Sequence, residues 1–121
     1  MDKIRTFDTG ANRNSTAGKR DMEGFISPIV LKIYNDYMHD NRHLANGDFR
    51  ASDNWQKGMS DEVYMKCLQR HNLDAWLIHR GYKGRDDMIH ALCGIMFNTM
   101  GLINNIAQED KELWEFDEDE K

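Results

Sequence analysis

The stretch "RHNLDAWLIHRGYKGRDDMIH", residues 70–90, holds three histidines and three aspartates around a four-residue loop, "GYKG". His71 and Asp74 are three residues apart before the loop, and Asp87 and His90 are three apart after it. Imidazole and carboxylate are the groups a divalent metal takes at a hydrolytic site. They also form an acid–base pair that works near neutral pH. In this reading His71, Asp87 and His90 form a catalytic centre, with Asp87 and His90 as metal ligands and magnesium or manganese as the ion. The structural alternative stays open beside it. An aspartate three or four residues before a histidine at a helix start is a common cap, and His71 falls on an apolar stripe where a core histidine would sit.

Those residues need helices to position them. The sequence has one proline and no period-two run of Val, Ile and Thr, which predicts an all-α domain. The first expected helix is about 28–40. Ser27 is its N-cap, Pro28 stands at N1, and Ile29, Val30, Ile33, Tyr34 and Tyr37 make one face. A polar connection, 41–59, follows; it is long for a small domain unless it has work to do. Ser60 caps a second helix, about 61–79, with Asp61 and Glu62 in its first turn. Its stripe is Tyr64, Leu68, His71, Ala75 and Ile78, at spacings of three and four.

The third helix, about 85–107, has an apolar side of Met88, Leu92, Ile95, Thr99, Leu102 and Ile106. A neighbouring side carries Asp87, His90, Ala91, Gly94, Asn98 and Gly101. Each glycine costs about 1 kcal/mol relative to alanine, so something must approach closely there, a helix or a ligand. The short loop makes the second and third helices an antiparallel hairpin. Counting outward from it sets His71 level with about Gly94, and Asp74 level with about His90.

Composition narrows the function classes. The 121 residues make one small domain, read as 1–108, preceded within it by a basic, glycine-containing arm over 1–24. An acidic tail over 109–121 carries eight acids and two lysines, leaving 14 bases and 13 acids in the rest. That tail reads as a solubilising segment, or as a partner contact anchored by Trp114 and Phe116. The balance argues against general DNA binding, which needs a wide basic surface. No apolar run approaches the ~20 residues of a membrane span. With no apolar leader in "MDKIRTFDTG", a cytoplasmic protein is expected. Cys67 and Cys93 read as free thiols. Three amphipathic helices and eight methionines in so small a body leave apolar surface over, which predicts a homo-oligomer, a symmetric dimer.

Further motifs suit nucleotide handling. "TGANRNSTAGKR" mixes glycines, hydroxyls and bases as a phosphate-wrapping loop does, although it fits no Walker pattern. In "NWQKG", Trp55 suits stacking on a purine and Lys57 a phosphate, or else Trp55 is a core anchor and Gly58 its turn.

Taken in order, "DTGANR…GKRD", "NWQKG", Arg70–His71 and "DDMIHA…N" resemble a phage-associated family described as the N-terminal domain of dATP/dGTP diphosphohydrolases. The resemblance spans roughly residues 8–103. The matching positions are Thr9, Gly10, Ala11, Arg13, Lys19 and Arg20, then Asn54, Trp55, Lys57 and Gly58, then Arg70, His71, Asp87, His90 and Asn98. It implies a purine-nucleotide partner held by Arg13, Lys19, Arg20, Asn54, Trp55, Lys57, Arg70 and Asn98, in the cytoplasm of a host cell. One departure is "GDFRASD" before Asn54–Trp55, where the family has a Lys-Tyr-Gly-like stretch. The paired Glu-x-x-Glu motifs of MazG-type pyrophosphohydrolases are missing: only Glu23 and Glu62 precede residue 109. Two functions follow, a hydrolase of purine deoxynucleotides or a non-catalytic protein that sequesters a nucleotide signal. A purely structural interaction module is a third.

Overall fold

Local chemistry sets the ends of the helices. In the computed structural model, which describes residues 3–15 and 17–116, Ser60 Oγ accepts the Val63 N–H, opening a helix over Asp61–His79. That helix ends where Gly81 takes φ +87°. The Gly81 N–H reaches Ile78 O and the Tyr82 N–H reaches Leu77 O, a Schellman closure that only glycine adopts cheaply. Asp87 caps the next helix, Met88–Glu109, its Oδ1 accepting the His90 N–H at 2.8 Å. Pro28 opens an earlier helix, Pro28–Asp40.

With a short helix at Met22–Phe25 these are α1 (Met22–Phe25), α2 (Pro28–Asp40), α3 (Asp61–His79) and α4 (Met88–Glu109), the four α-helices among the described residues. The protein is mostly helical but not purely so. Residues 4–6 and 12–14 form an antiparallel ribbon, β1 (Ile4–Thr6) and β2 (Asn12–Asn14), pairing Ile4 with Asn14, Arg5 with Arg13 and Thr6 with Asn12. The expectation of an all-α domain with a plain basic arm is corrected here. The ribbon is held by backbone bonds across a turn at Gly10, φ +88°, and buries no alternating apolar face. A period-two search has nothing to detect in it. The chain divides into two compact units. One is residues 28–111; the other comprises the described residues up to 27 and from 112 on. The acidic run begins inside α4, continues as a 3-10 turn over Lys111–Leu113, and from residue 117 lies outside the described residues.

Within residues 28–111, α3 and α4 form the antiparallel hairpin expected from the short loop. The order of contacts along it establishes the direction. Gly84 lies against Asp74, Gly94 against the His71 ring and Gly101 against the Tyr64 ring, and Asn105 Nδ2 bonds Met59 O and Asp61 Oδ1, each at 2.9 Å. A Cβ on Gly94 would stand 2.6 Å from His71 Cγ, and one on Gly101 would overlap the Tyr64 ring. The two helical glycines therefore admit ring side chains of a neighbouring helix. Tyr64 also meets Phe97 edge to face, ring centroids 6.0 Å apart.

This closeness selects the face of α4 that is buried. Its buried face is the small and polar one, Ala91, Gly94, Asn98 and Gly101 with Cys93. On the larger apolar side Leu92, Thr99 and Ile106 are exposed, while Met88, Ile95 and Leu102 are half-buried. The helix also starts at Met88 rather than at Arg85, because Arg85 is drawn out of the helical path to pair with Asp74. Gly94→Ala and Gly101→Ala should each lower the unfolding free energy by about 1–3 kcal/mol, since overpacking outweighs the ~1 kcal/mol gained in helix propensity. Urea unfolding would measure it; an unchanged or raised midpoint for both would contradict the ring-on-glycine packing.

Candidate functional site

The connection 41–59 is an ordered structure of short turns. His43 and Phe49 form an isolated antiparallel bridge with rings 4.5 Å apart, and the Arg42 guanidinium lies over Phe49 at 5.7 Å. Gly47 turns the chain at φ +90°, and the Arg50 N–H bonds Arg42 O at 2.7 Å. A 3-10 turn over Asn54–Lys57 then ends at Gly58, φ +99°. These turns wall one side of a cavity of about 730 Å³. The opposite walls come from α2 (Tyr34, Tyr37, Met38), from α3 (Tyr64, Cys67, His71) and from α4 (Phe97, Asn98).

Of the five aromatic side chains on the walls, Tyr34, Tyr37, Trp55 and Phe97 are half-buried and Tyr64 is buried. The two arginines there bond no carboxylate among the described residues: Arg42 meets the His39 carbonyl and ring nitrogen, and Arg50 donates to the Asn41 carbonyl at 2.8 Å. Among the described residues no Asp or Glu lines the cavity. Tyr34 Oη and His71 Nδ1 are buried with no hydrogen-bond partner among those residues. Such buried groups are normally paired, so each carries the cost of an unmade hydrogen bond.

Burial pushes the His71 pKa down, with the nearby Arg85 charge adding to it, so the ring is neutral at pH 7. Burial raises the Tyr34 and Tyr37 phenols, which stay protonated as donors. Cys93 is buried and its thiol is raised by that burial, which leaves it unreactive. The half-buried Cys67 Sγ lies 3.0 Å from Arg70 Nη2.

The residues read from sequence separate into three groups. His71, Asn54, Trp55 and Asn98 meet at the cavity. Asn98 is buried, its Nδ2 donating to Gly94 O at 2.8 Å. Lys57, Arg70, Asp74, Asp87 and His90 are not on its walls. Arg13 stands on β2 opposite Arg5, while Lys19 and Arg20 follow it in the other unit, Arg20 donating to the Gly18 carbonyl.

The four-residue convergence expected from helix spacing is thus replaced by two separate arrangements. Asp74, buried, accepts the Arg85 backbone N–H at 3.0 Å and three guanidinium bonds at 2.9–3.2 Å. Its hydrogen bonds to Arg85 hold the carboxyl below the usual range. Asp87 and His90 pair with each other, ring nitrogen to both carboxylate oxygens at 2.9 Å, and His90 meets the Tyr37 ring edge-on at 5.8 Å. Helix counting placed these residues on the correct elements but could not see Arg85 entering from the loop. The space beside Gly94 is filled by His71 itself. Among the described residues no three of His, Cys, Asp and Glu come together to hold a metal ion.

Sequence reasoning missed Tyr34, Tyr37, Arg42 and Arg50 as wall residues. The two tyrosines read as a core face of α2. The available signal for the arginines was the length of the 41–59 connection, too long to be a passive linker. No protein-family model, curated protein or solved structure matches this chain.

The two histidines should titrate in opposite directions from the ordinary 6.5. His71 is lowered by burial; His90 is raised by its hydrogen bond to Asp87. For His71 the unfolded chain takes up the proton first, so its contribution to stability is present above about 6.5 and falls as pH drops below that value. For His90 the contribution is full below about 6.5 and is lost as pH rises through the folded value. NMR titration of the ring resonances should give a midpoint below 6.5 for His71 and above it for His90; the reverse order would overturn both environments.

Proposed function

We propose that the protein binds a purine nucleotide in the cavity between α2, the 41–59 connection and the α3–α4 hairpin. The observation that carries this reading is the wall chemistry: five aromatic rings and two arginines, with no carboxylate among the described residues. Aromatic faces suit a planar heterocycle and arginines suit phosphate oxygens. The volume falls within the range of about 300–1,000 Å³ common to small-molecule sites. Asn54, half-buried on the wall, offers a donor and an acceptor to a base edge, and the resemblance to dATP/dGTP diphosphohydrolases read from the sequence motifs points to a purine.

In this reading the protein is a nucleotide binder first. A wall without carboxylates has nothing of its own to hold magnesium or manganese, so such an ion would enter with the phosphates. One observation favours hydrolysis as a second reading. His71 lines the cavity and its ring is neutral at pH 7, the protonation state a general base requires. Catalysis would then rest on His71 rather than on Asp87 and His90, which make the α4 cap.

Titrating the protein with dATP, dGTP, ATP, GTP and CTP, with and without magnesium or manganese, tests both readings when binding and product are followed together. A purine nucleotide should quench the Trp55 fluorescence, and Arg50→Ala should weaken binding by about 10- to 100-fold, as loss of a charge-assisted bond does. If product forms, His71→Ala should abolish it while Asp87→Ala spares it. No binding by any of the five at millimolar concentration would sink the proposal.

A further inference from the structure

A helix with one side in water normally carries charges there. Between Met88 and Gln108 α4 has no Asp, Glu, Lys or Arg. Its small face is taken by α3, yet on the side pointing away from α3 Ile89, Leu92, Ile103 and Ile106 are 51%, 44%, 59% and 57% exposed. With Met96 and Thr99 between them, these side chains sit at spacings of 3, 4, 3, 4 and 3 along 18 residues. That is the 3.5-residue period of a helix seam made for another helix.

We infer that this seam is covered by the same seam of a second copy, forming an antiparallel two-fold pair of α4 helices. The order of the side chains argues for a second copy. Read against its own reverse, the seam sets Ile89 opposite Ile106, Leu92 opposite Ile103 and Met96 opposite Thr99, each a layer of two apolar or near-apolar groups. A two-fold axis beside residues 97–98 generates all six layers from one surface, as an isologous interface requires. The absence of charge means that self-association meets no like-charge repulsion, and opposed helix dipoles favour the antiparallel direction. A charged partner would find nothing here to pair with.

The area is sufficient. The 22 residues of α4 make a cylinder about 33 Å long and about 11 Å across. Half its surface is on the order of 550 Å². Two copies would cover about 1,100 Å², just past the ~1,000 Å² a stable interface needs. A shallow groove bordered by Ile95, Met96, Thr99, Met100 and Ile103 lies along the seam, a shape that receives a knob from a facing helix.

Sedimentation equilibrium of the full chain from 1 to 100 μM tests the pairing. The wild type should behave as a dimer in the upper part of that range. Leu92→Glu and Ile103→Lys, both at exposed positions, should keep the wild-type circular dichroism spectrum and each weaken association about 100-fold by burying a charge in an apolar layer. Ile29→Glu, exposed on α2, should leave the dimer unchanged. The double variant Leu92→Glu/Ile103→Lys separates the directions, because an antiparallel pair sets the new glutamate against the partner's new lysine and should recover much of the affinity. A monomeric wild type at 100 μM would overturn the inference, whether or not its seam then bound neutral lipid vesicles. So would a dimer indifferent to both single substitutions, and a double variant no tighter than either single would overturn the antiparallel arrangement.

Discussion

The hairpin depends on how closely α3 and α4 approach. At Gly94 and Gly101 the absence of a Cβ lets His71 and Tyr64 lay their rings against the α4 backbone. Any side chain there would force the helices apart. Because the rings occupy that face, α4 presents its small residues inward and its large ones outward, the inverse of an ordinary amphipathic helix. The packed interior is correspondingly slight. Among the described residues Tyr64, Ala91 and Cys93 are the buried apolar ones, beside the polar Asp74 and Asn98. A domain with so small a core relies on close backbone approach and on satisfied polar groups more than on apolar volume.

The same approach orients the cavity wall. His71 is gripped on one side by Gly94, so its unpartnered Nδ1 belongs to a ring with little freedom to turn. The facing walls are supplied by the 41–59 connection, where short turns at Gly47 and Gly58 replace helix and bring Arg42, Arg50, Asn54 and Trp55 to one place. Preorganised aromatic and basic groups on turns, set against rigid helices, are the usual construction of a small-molecule site.

Two ion pairs around the loop between α3 and α4 hold local structure together. The Asp74–Arg85 clasp ties the loop after α3 back onto that helix, with the carboxylate 4% and the guanidinium 58% exposed. Hydrogen bonds from the Arg85 backbone and side chain satisfy the buried charge, and this decides where α4 can begin. Asp87 and His90 close the first turn of α4, since one carboxylate oxygen serves both the His90 N–H and its ring. A carboxylate and an imidazole three residues apart at a helix start satisfy orphan backbone donors before they do anything else.

What the sequence determined by itself was local. Pro28 at the start of α2, Ser60 before α3, Gly81 after it and Asp87 before α4 act through neighbours within five residues, and each is legible without a fold. The hairpin and the pairing of His71 with Gly94 follow from those ends plus a short loop. What only the tertiary structure decided depends on partners that no local period encodes. Arg85 reaches Asp74 across 11 residues, and Asn105 reaches Met59 across 46. The polar ribbon at the N-terminal end pairs through backbone bonds that leave no hydrophobic signature. Which face of α4 is buried could not be read from its hydropathy, because size rather than polarity selected it: two rings needed the space beside two glycines, and the large apolar side chains were left on the other side.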